Sequence, residues 1–228
     1  MSKRPRLTGQ RRRQILEAAA EVIAERGLCE TRVTDVAHRA GTSAALVIYY
    51  FETKDRLLTE ALTFADDRFY LQAFHELTTL DHPRDQLVRL IEMSCPEEPE
   101  VTADWTLWVE LFARARRDPE TARKREALDR RWRATIADIV REGQRAGEFA
   151  PVDPDRFALR LAAVIDGLAV QVLLGDPEVS VQTMRETCLQ MAAQDLGFDA
   201  VSTMEAPVGA AAVALQARAT ATRPRTRR

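Results

Sequence analysis

The sequence has no asparagine, only three histidines and three cysteines, and 6% aromatic residues. Without asparagine there are no Asn-Gly hairpin turns, and alternating apolar runs are also missing, so a β-rich fold is excluded. Cys29, Cys95 and Cys188 lie far apart with no C-x-x-C pair, which offers neither a disulfide framework nor a zinc ligand set. His38, His75 and His82 belong to no Glu-x-x-His pair, and neither a G-x-S-x-G nor a phosphate-loop lysine motif occurs. No enzyme chemistry, metal or cofactor is therefore expected. No apolar run approaches the roughly 18 to 20 residues that cross a bilayer, and the opening "MSKRPRLTGQRRRQILEAAAEV" lacks an apolar segment ending in a cleavage site. A cytoplasmic protein without membrane contact is expected.

What is present is enough for a core: 228 residues, 46% apolar and 30% charged, fit one or two globular domains. The net charge of −2 hides a partition. Residues 1–54 carry 10 Lys/Arg against 6 Asp/Glu, residues 55–197 carry 18 against 27, and residues 198–228 carry 5 against 2. A cationic head on an acidic body implies a polyanion at one end and a different partner at the other.

Apolar residues recur three and four apart almost throughout, which predicts an all-α fold of about nine helices. The first runs from about Thr8 to Arg26 and stops at Gly27; short helices follow at about 33–40 and 43–50, and a long one at 54–75. Further helices are expected at about 84–93, 101–117, 120–146, 155–174 and 178–195. The breaks "CPEEPE", "RDPE", "AGEFAPVDPD" and "GDPE" place proline beside acid or glycine, a stop followed by a helix start. Residues 198–228, alanine-rich with a terminal arginine cluster, read as a disordered basic tail.

Residues 32–51 have the layout of a helix-turn-helix. Val36, Ala37 and Ala40 give the first short helix one apolar face, Val47 and Phe51 give the second another, and Gly41 permits the turn. Two short helices of a bundle would share this geometry. The stretch "TRVTDVAHRAGTSAALVIYYFETKDRLL", residues 31–58, decides between them: it resembles the recognition region of the TetR family of transcriptional repressors. Thr31, Val36, Ala37, Ala40, Gly41, Thr42, Ser43, Val47, Tyr50, Phe51, Lys54 and Leu57 fall in register with the family pattern. Less specifically, "WTLWVELFARARRDP" and the stretch from Gly147 to Pro177 resemble the ligand domain of the betaine-regulator type.

The resemblance implies a basic arm at 1–7, a DNA-binding domain at 8–53 and a ligand-binding and dimerisation domain at 54–197. Its implied partners are double-stranded DNA, a small-molecule effector of unknown identity and a second copy of the chain. In that frame Ser43 or Thr42 caps the recognition helix, Ala44 and Ala45 let the backbone approach base edges, and Ile48 and Tyr49 enter the groove. Tyr50 and Lys54 resemble the family's phosphate contacts, while Thr34 and Arg32 are further candidates. Where the family commonly has tyrosine this chain has Ile48, so readout there is expected to be apolar, for example against thymine methyls. The basic run from Lys3 to Arg13 has two readings, an arm on DNA or a solvated terminus. A helical interaction protein without specific DNA binding is the alternative.

In the second domain Trp105, Trp108 and Phe112 share one helix face and read either as core or as a pocket wall. Asp104 and Glu110 flank them, and Asp166 interrupts the apolar run "LAAVIDGLAVQVLL", where a carboxylate needs either an ion pair or a cavity. Carboxylates beside tryptophans suit a cationic ligand. The last two helices carry Phe157, Leu161, Val164, Leu168, Val172, Met184, Cys188 and Met191 over a wide apolar arc, expected as the dimer interface, with the two recognition helices ~34 Å apart on a palindromic site.

Overall fold

The computed structural model describes residues 3–199, with side chains from residue 9 onward, and among these residues it holds nine helices and no strand. They are α1 (Lys3–Arg26), α2 (Val33–Arg39), α3 (Ala44–Phe51), α4 (Lys54–Leu77), α5 (Pro83–Met93), α6 (Pro99–Ala115), α7 (Pro119–Arg145), α8 (Pro154–Leu173) and α9 (Val181–Leu196).

Local chemistry sets most of these boundaries. Helices α5 to α8 each begin with a proline, whose missing N–H costs nothing in a first turn that has no acceptor for it. Side-chain oxygens of Ser43, Thr53, Asp118, Asp153 and Ser180 accept the free N–H groups at the starts of α3, α4, α7, α8 and α9. Gly27 ends α1 with φ of 79° and Gly41 turns the chain between α2 and α3 with φ of 59°, a region open to glycine at little cost.

The first helix is longer than its periodicity suggested. It starts at Lys3 rather than near Thr8, because Pro5 falls in the first turn, where it breaks no hydrogen bond. The stretch expected as an arm is thus continuous with α1. The side chains of Lys3, Arg4 and Arg6 and the tail from residue 200 lie outside the described residues. Phe198, expected to begin the tail, packs against Phe149 with the rings tilted and their centroids 5.9 Å apart.

Two apolar cores result. One joins α1 to α4 through Ile15, Ile23, Val36, Val47, Phe51, Leu57 and Leu62, and extends to Leu107 and Leu111 of α6. The other joins α5, α7, α8 and α9 through Leu87, Ile91, Ile136, Leu161, Ile165 and Met184. Helix α6 is built into both, with Trp108 on the first and Trp105 on the second. Between the two cores lies a cavity.

Candidate functional sites

The first site is the surface of α3. Ser43 Oγ accepts the Leu46 N–H at 3.2 Å and starts the helix. Val47 and Phe51, four apart, are wholly buried and pin α3 on the α1–α4 core. The opposite face must then point outward: Ala45 is exposed, Ile48 is 39% exposed and Tyr49 77% exposed. Tyr49 meets Tyr50 edge to face at 5.5 Å, and with Ile48 it leaves an open apolar face on one short helix. Thr34 and Arg32 are exposed at the start of α2, and the Arg32 N–H donates to Asp35 Oδ2 at 3.2 Å. Thr42, Ala44 and Tyr50 are half-buried beside them. Lys54, at the first residue of α4, reaches the Cys29 carbonyl oxygen at a marginal 3.5 Å. All ten residues named for DNA therefore belong to one stretch at one end of the bundle.

The N-terminal arginines divide. Arg12 turns inward, with its guanidinium 5.0 Å over the Phe51 ring and paired with Glu60, so it braces α3 and α4 from below. Arg11 and Arg13 remain exposed. Arg39, at the end of α2, is held by Glu21 and Glu25 at 2.9 and 2.7 Å.

The second site is the cavity, about 290 Å³ in volume. Trp105, Trp108 and Phe112 line it together with Phe69, Tyr70 and Trp132. The aromatic face of α6 is thus both core and wall. Trp105 Nε1 donates to the Ser94 carbonyl at 2.8 Å, which leaves its ring, and no polar atom, for the cavity.

Four carboxylates line the same space, one from each of four helices: Asp66 of α4, Asp104 of α6, Asp129 of α7 and Asp166 of α8. Three have a guanidinium nearby. Asp104 pairs with Arg68 at 3.1 Å, Asp129 with Arg125 at 2.7 Å and Asp66 with Arg131 at 3.7 Å. Asp166 makes no ion pair or hydrogen bond among the described residues, although its charge lies within reach of Arg125 and Arg133. Burial, followed by the nearby Asp129, pushes its carboxyl up to about 7. Asp66 is also raised to about 7, by burial against the opposing pull of Arg131. Both therefore change charge near neutrality, which an approaching cation would bias towards the ionised form.

Asp66, Asp129, Phe69, Tyr70 and Trp132 were not among the residues singled out in the sequence. A signal existed for Asp66: it follows Leu62 by four and precedes Phe69 by three, an acid set in an apolar stripe. Asp129 had a similar one, three before Trp132 and seven before Ile136 on the apolar face of α7.

Glu110 departs from its expected place beside the tryptophans. It turns away from the cavity, and its Oε1 accepts the Leu28 N–H at 3.1 Å, just past Gly27 in the loop after α1. Arg114, one turn further along α6, reaches Asp55 at the start of α4 at 3.5 Å. Helix α6 therefore walls the cavity with one face and grips the α1–α4 unit with another.

The residues expected at a dimer interface are not all available for one. Phe157, Leu161, Met184 and Cys188 are buried in the chain's own second core, while Val164, Leu168, Val172 and Met191 are partly buried against it. The buried half of the arc is taken up by packing of α8 on α7 and α9 and of α9 on α5 and α8. What remains exposed along α8 includes Leu159 (52% exposed) and Ala163, which also line the cavity, and Gly167, with Leu174 (77% exposed) just past the helix end. On α9 the exposed residues Gln182, Thr183, Thr187, Gln190 and Gln194 carry no charge.

Residues 15–61 match the family of bacterial regulatory proteins of the tetR type, and residues 83–197 match the C-terminal domain of BetI-type transcriptional repressors. Among curated proteins the chain is similar to the HTH-type transcriptional regulator BetI of Stenotrophomonas maltophilia, 30% identical over 165 residues, 69% of this chain and 79% of that one. BetI of Agrobacterium fabrum is 28% identical over 161 residues, 71% and 76% of the two chains. Among solved structures, a transcriptional regulator from Saccharomonospora viridis in complex with choline superposes with a TM-score of 0.77 at 34% identity, covering 82% of this chain and 98% of that one. A TetR-family regulator from a Rhodococcus species gives 0.72 at 31% identity, covering 82% and 99%.

Proposed function

The chain belongs to the TetR family of DNA-binding transcriptional regulators, with a BetI-type C-terminal domain, and from that premise we propose that it is a homodimeric repressor released from DNA by a small cation. The observation that carries the effector class is the cavity: an unpaired carboxylate, Asp166, among tryptophan, tyrosine and phenylalanine rings. Aromatic faces attract ammonium groups, and the attraction grows when both partners are shielded from water. The relative from Saccharomonospora viridis was solved with choline, a quaternary ammonium of this chemistry. Titration calorimetry with choline and its tertiary analogues tests the reading; release of DNA by a neutral apolar compound, with no heat from any ammonium, would refute it.

At the other end, Ala44, Ala45, Ile48 and Tyr49 read base edges in the major groove, and Arg32, Thr34, Thr42, Ser43, Tyr50 and Lys54 set register on phosphates. This assignment rests on their clustering about an outward face of α3. The alternative of a helical interaction protein has no observation in its favour.

Dimerisation uses the outward face of α8 about Gly167, continued by Leu174 just past its end, with the uncharged exposed residues of α9, in place of the buried Phe157, Leu161, Met184 and Cys188. The small residue at 167 permits close helix approach. A stable monomer in light scattering at micromolar concentration would sink this part. The protein acts in the cytoplasm, where its DNA is.

Signal passes through α6. A cation drawn against Trp105 and Trp108 shifts the helix, and Glu110 and Arg114 carry the shift to the loop after α1 and the start of α4. Such coupling is worth about 1 to 3 kcal/mol, roughly 5- to 150-fold in DNA affinity.

A further inference from the structure

One of the guanidinium groups in the cavity does more than neutralise an acid. Arg125 Nη1 lies 2.7 Å from Asp129 Oδ2, one turn along α7, and the guanidinium carbon lies 4.7 Å from the centroid of the Phe112 ring. Phe112 in turn meets Trp108 edge to face at 4.9 Å. All four residues line the cavity, and the charge of Arg125 also reaches the unpaired Asp166. A cation over an aromatic face, with one carboxylate in contact and a second in reach, is the arrangement an ammonium ligand requires. Guanidinium fills that role well because it is planar, permanently charged and weakly hydrated.

We propose that Arg125 is a resident stand-in for the effector: it occupies the Phe112–Asp129 corner of the cavity, and a cationic effector binds by displacing it. The proposal rests on the reading of the cavity as a cation site. Displacement has a route, because 28% of the Arg125 side chain is already exposed. It also has a function, since Arg125 keeps Asp129 compensated and the effector must out-compete a built-in rival. Affinity is thereby set lower than the aromatic walls alone would give.

Arg133 provides the control. It lines the same cavity and its charge reaches the same Asp129 and Asp166, yet it stacks on no ring among the described residues. Calorimetric titration of the full chain with choline should show Arg125→Gln binding ~10-fold or more tightly than the unmodified protein, with Arg133→Gln gaining no more than ~3-fold. Arg125→Lys keeps the charge but loses the planar stack, and should fall between the unmodified protein and Arg125→Gln. Equal or weaker binding by Arg125→Gln overturns the proposal, as does an equal gain in Arg133→Gln, which would mark a plain charge effect. If Arg125→Gln does not fold, Arg125→Lys carries the test, and affinity no tighter than that of the unmodified protein overturns it. If no form of the protein binds choline or tetramethylammonium, the cation-site reading falls and this proposal falls with it. Binding by the unmodified protein without the Arg125 effect removes the proposal alone.

Discussion

The residues assigned to DNA lie within one run from Arg32 to Lys54, whereas the cavity takes its four carboxylates from four helices spread between Asp66 and Asp166. The contrast has a physical origin. A surface that reads DNA needs one short helix pinned by two buried side chains, and its polar groups stay in water until the partner arrives. A cavity for a cation must hold carboxylates away from water, which one helix cannot do alone. The cost of doing so is visible in the raised carboxyls of Asp66 and Asp166.

The largest effect expected from this comparison is on the pin beneath the reading surface. Phe51→Ala removes a wholly buried ring and should destabilise the protein by about 3 to 5 kcal/mol in chemical denaturation. Tyr49→Ala, on the exposed face, should change stability by no more than ~0.5 kcal/mol while weakening operator binding. Similar losses of stability for both would erase the distinction between anchor and reading face.

In the cavity, Asp166→Asn should lower choline affinity by roughly 30- to 100-fold, the loss of a charge that no arginine pairs. It should also change the response to pH. Asp66 and Asp166 titrate near 7 in the fold, above the ordinary carboxylate value, so the unfolded chain gives up these protons first. For these two groups stability is greatest below about pH 4, falls as pH rises from about 4 to about 7, and is level beyond. Choline affinity runs the other way, rising as pH passes through about 7. Thermal melts and calorimetry across this range should show both trends, each weakened in Asp166→Asn; pH-independent choline binding would contradict the assignment.

The link between the regions should give a smaller, more selective effect. Glu110→Gln keeps an acceptor but loses the charge that strengthens its bond to the Leu28 N–H, a difference of about 1 kcal/mol. Choline binding should persist while DNA release by choline weakens several-fold in a gel-shift titration. If release is unchanged, α6 does not signal through this contact.

The smallest expected change is at a phosphate contact. Lys54→Met should weaken DNA binding about equally across sequences and reduce the slope of log affinity against log salt by about 1, whereas Ile48→Ser should alter preference at one base pair by about 1 to 3 kcal/mol. A reversal of these two patterns would exchange the roles of positioning and reading.

Helix positions were largely legible because proline starts, glycine stops and apolar spacing are local signals. The outward face of α3 was legible for the same reason: Val47 and Phe51 determine which way Ile48 and Tyr49 point. The use of the apolar arc on α8 and α9 was not. Phe157, Leu161, Met184 and Cys188 form an apolar arc that looks alike whether it meets a second copy or the chain's own α5 and α7, and the fold uses it for the latter. Glu110 was misread in a related way, since its position in α6 does not say that the loop after α1 passes beside it.

By itself, then, the amino-acid order determined the helices, their ends and the face that α3 turns outward, because each depends on residues within a few positions of one another. Only the tertiary structure decided which acids share a cavity, which arginines neutralise them and which apolar residues remain outside. Those depend on which helices pack together, and burial, unlike periodicity, is a property of the packed whole.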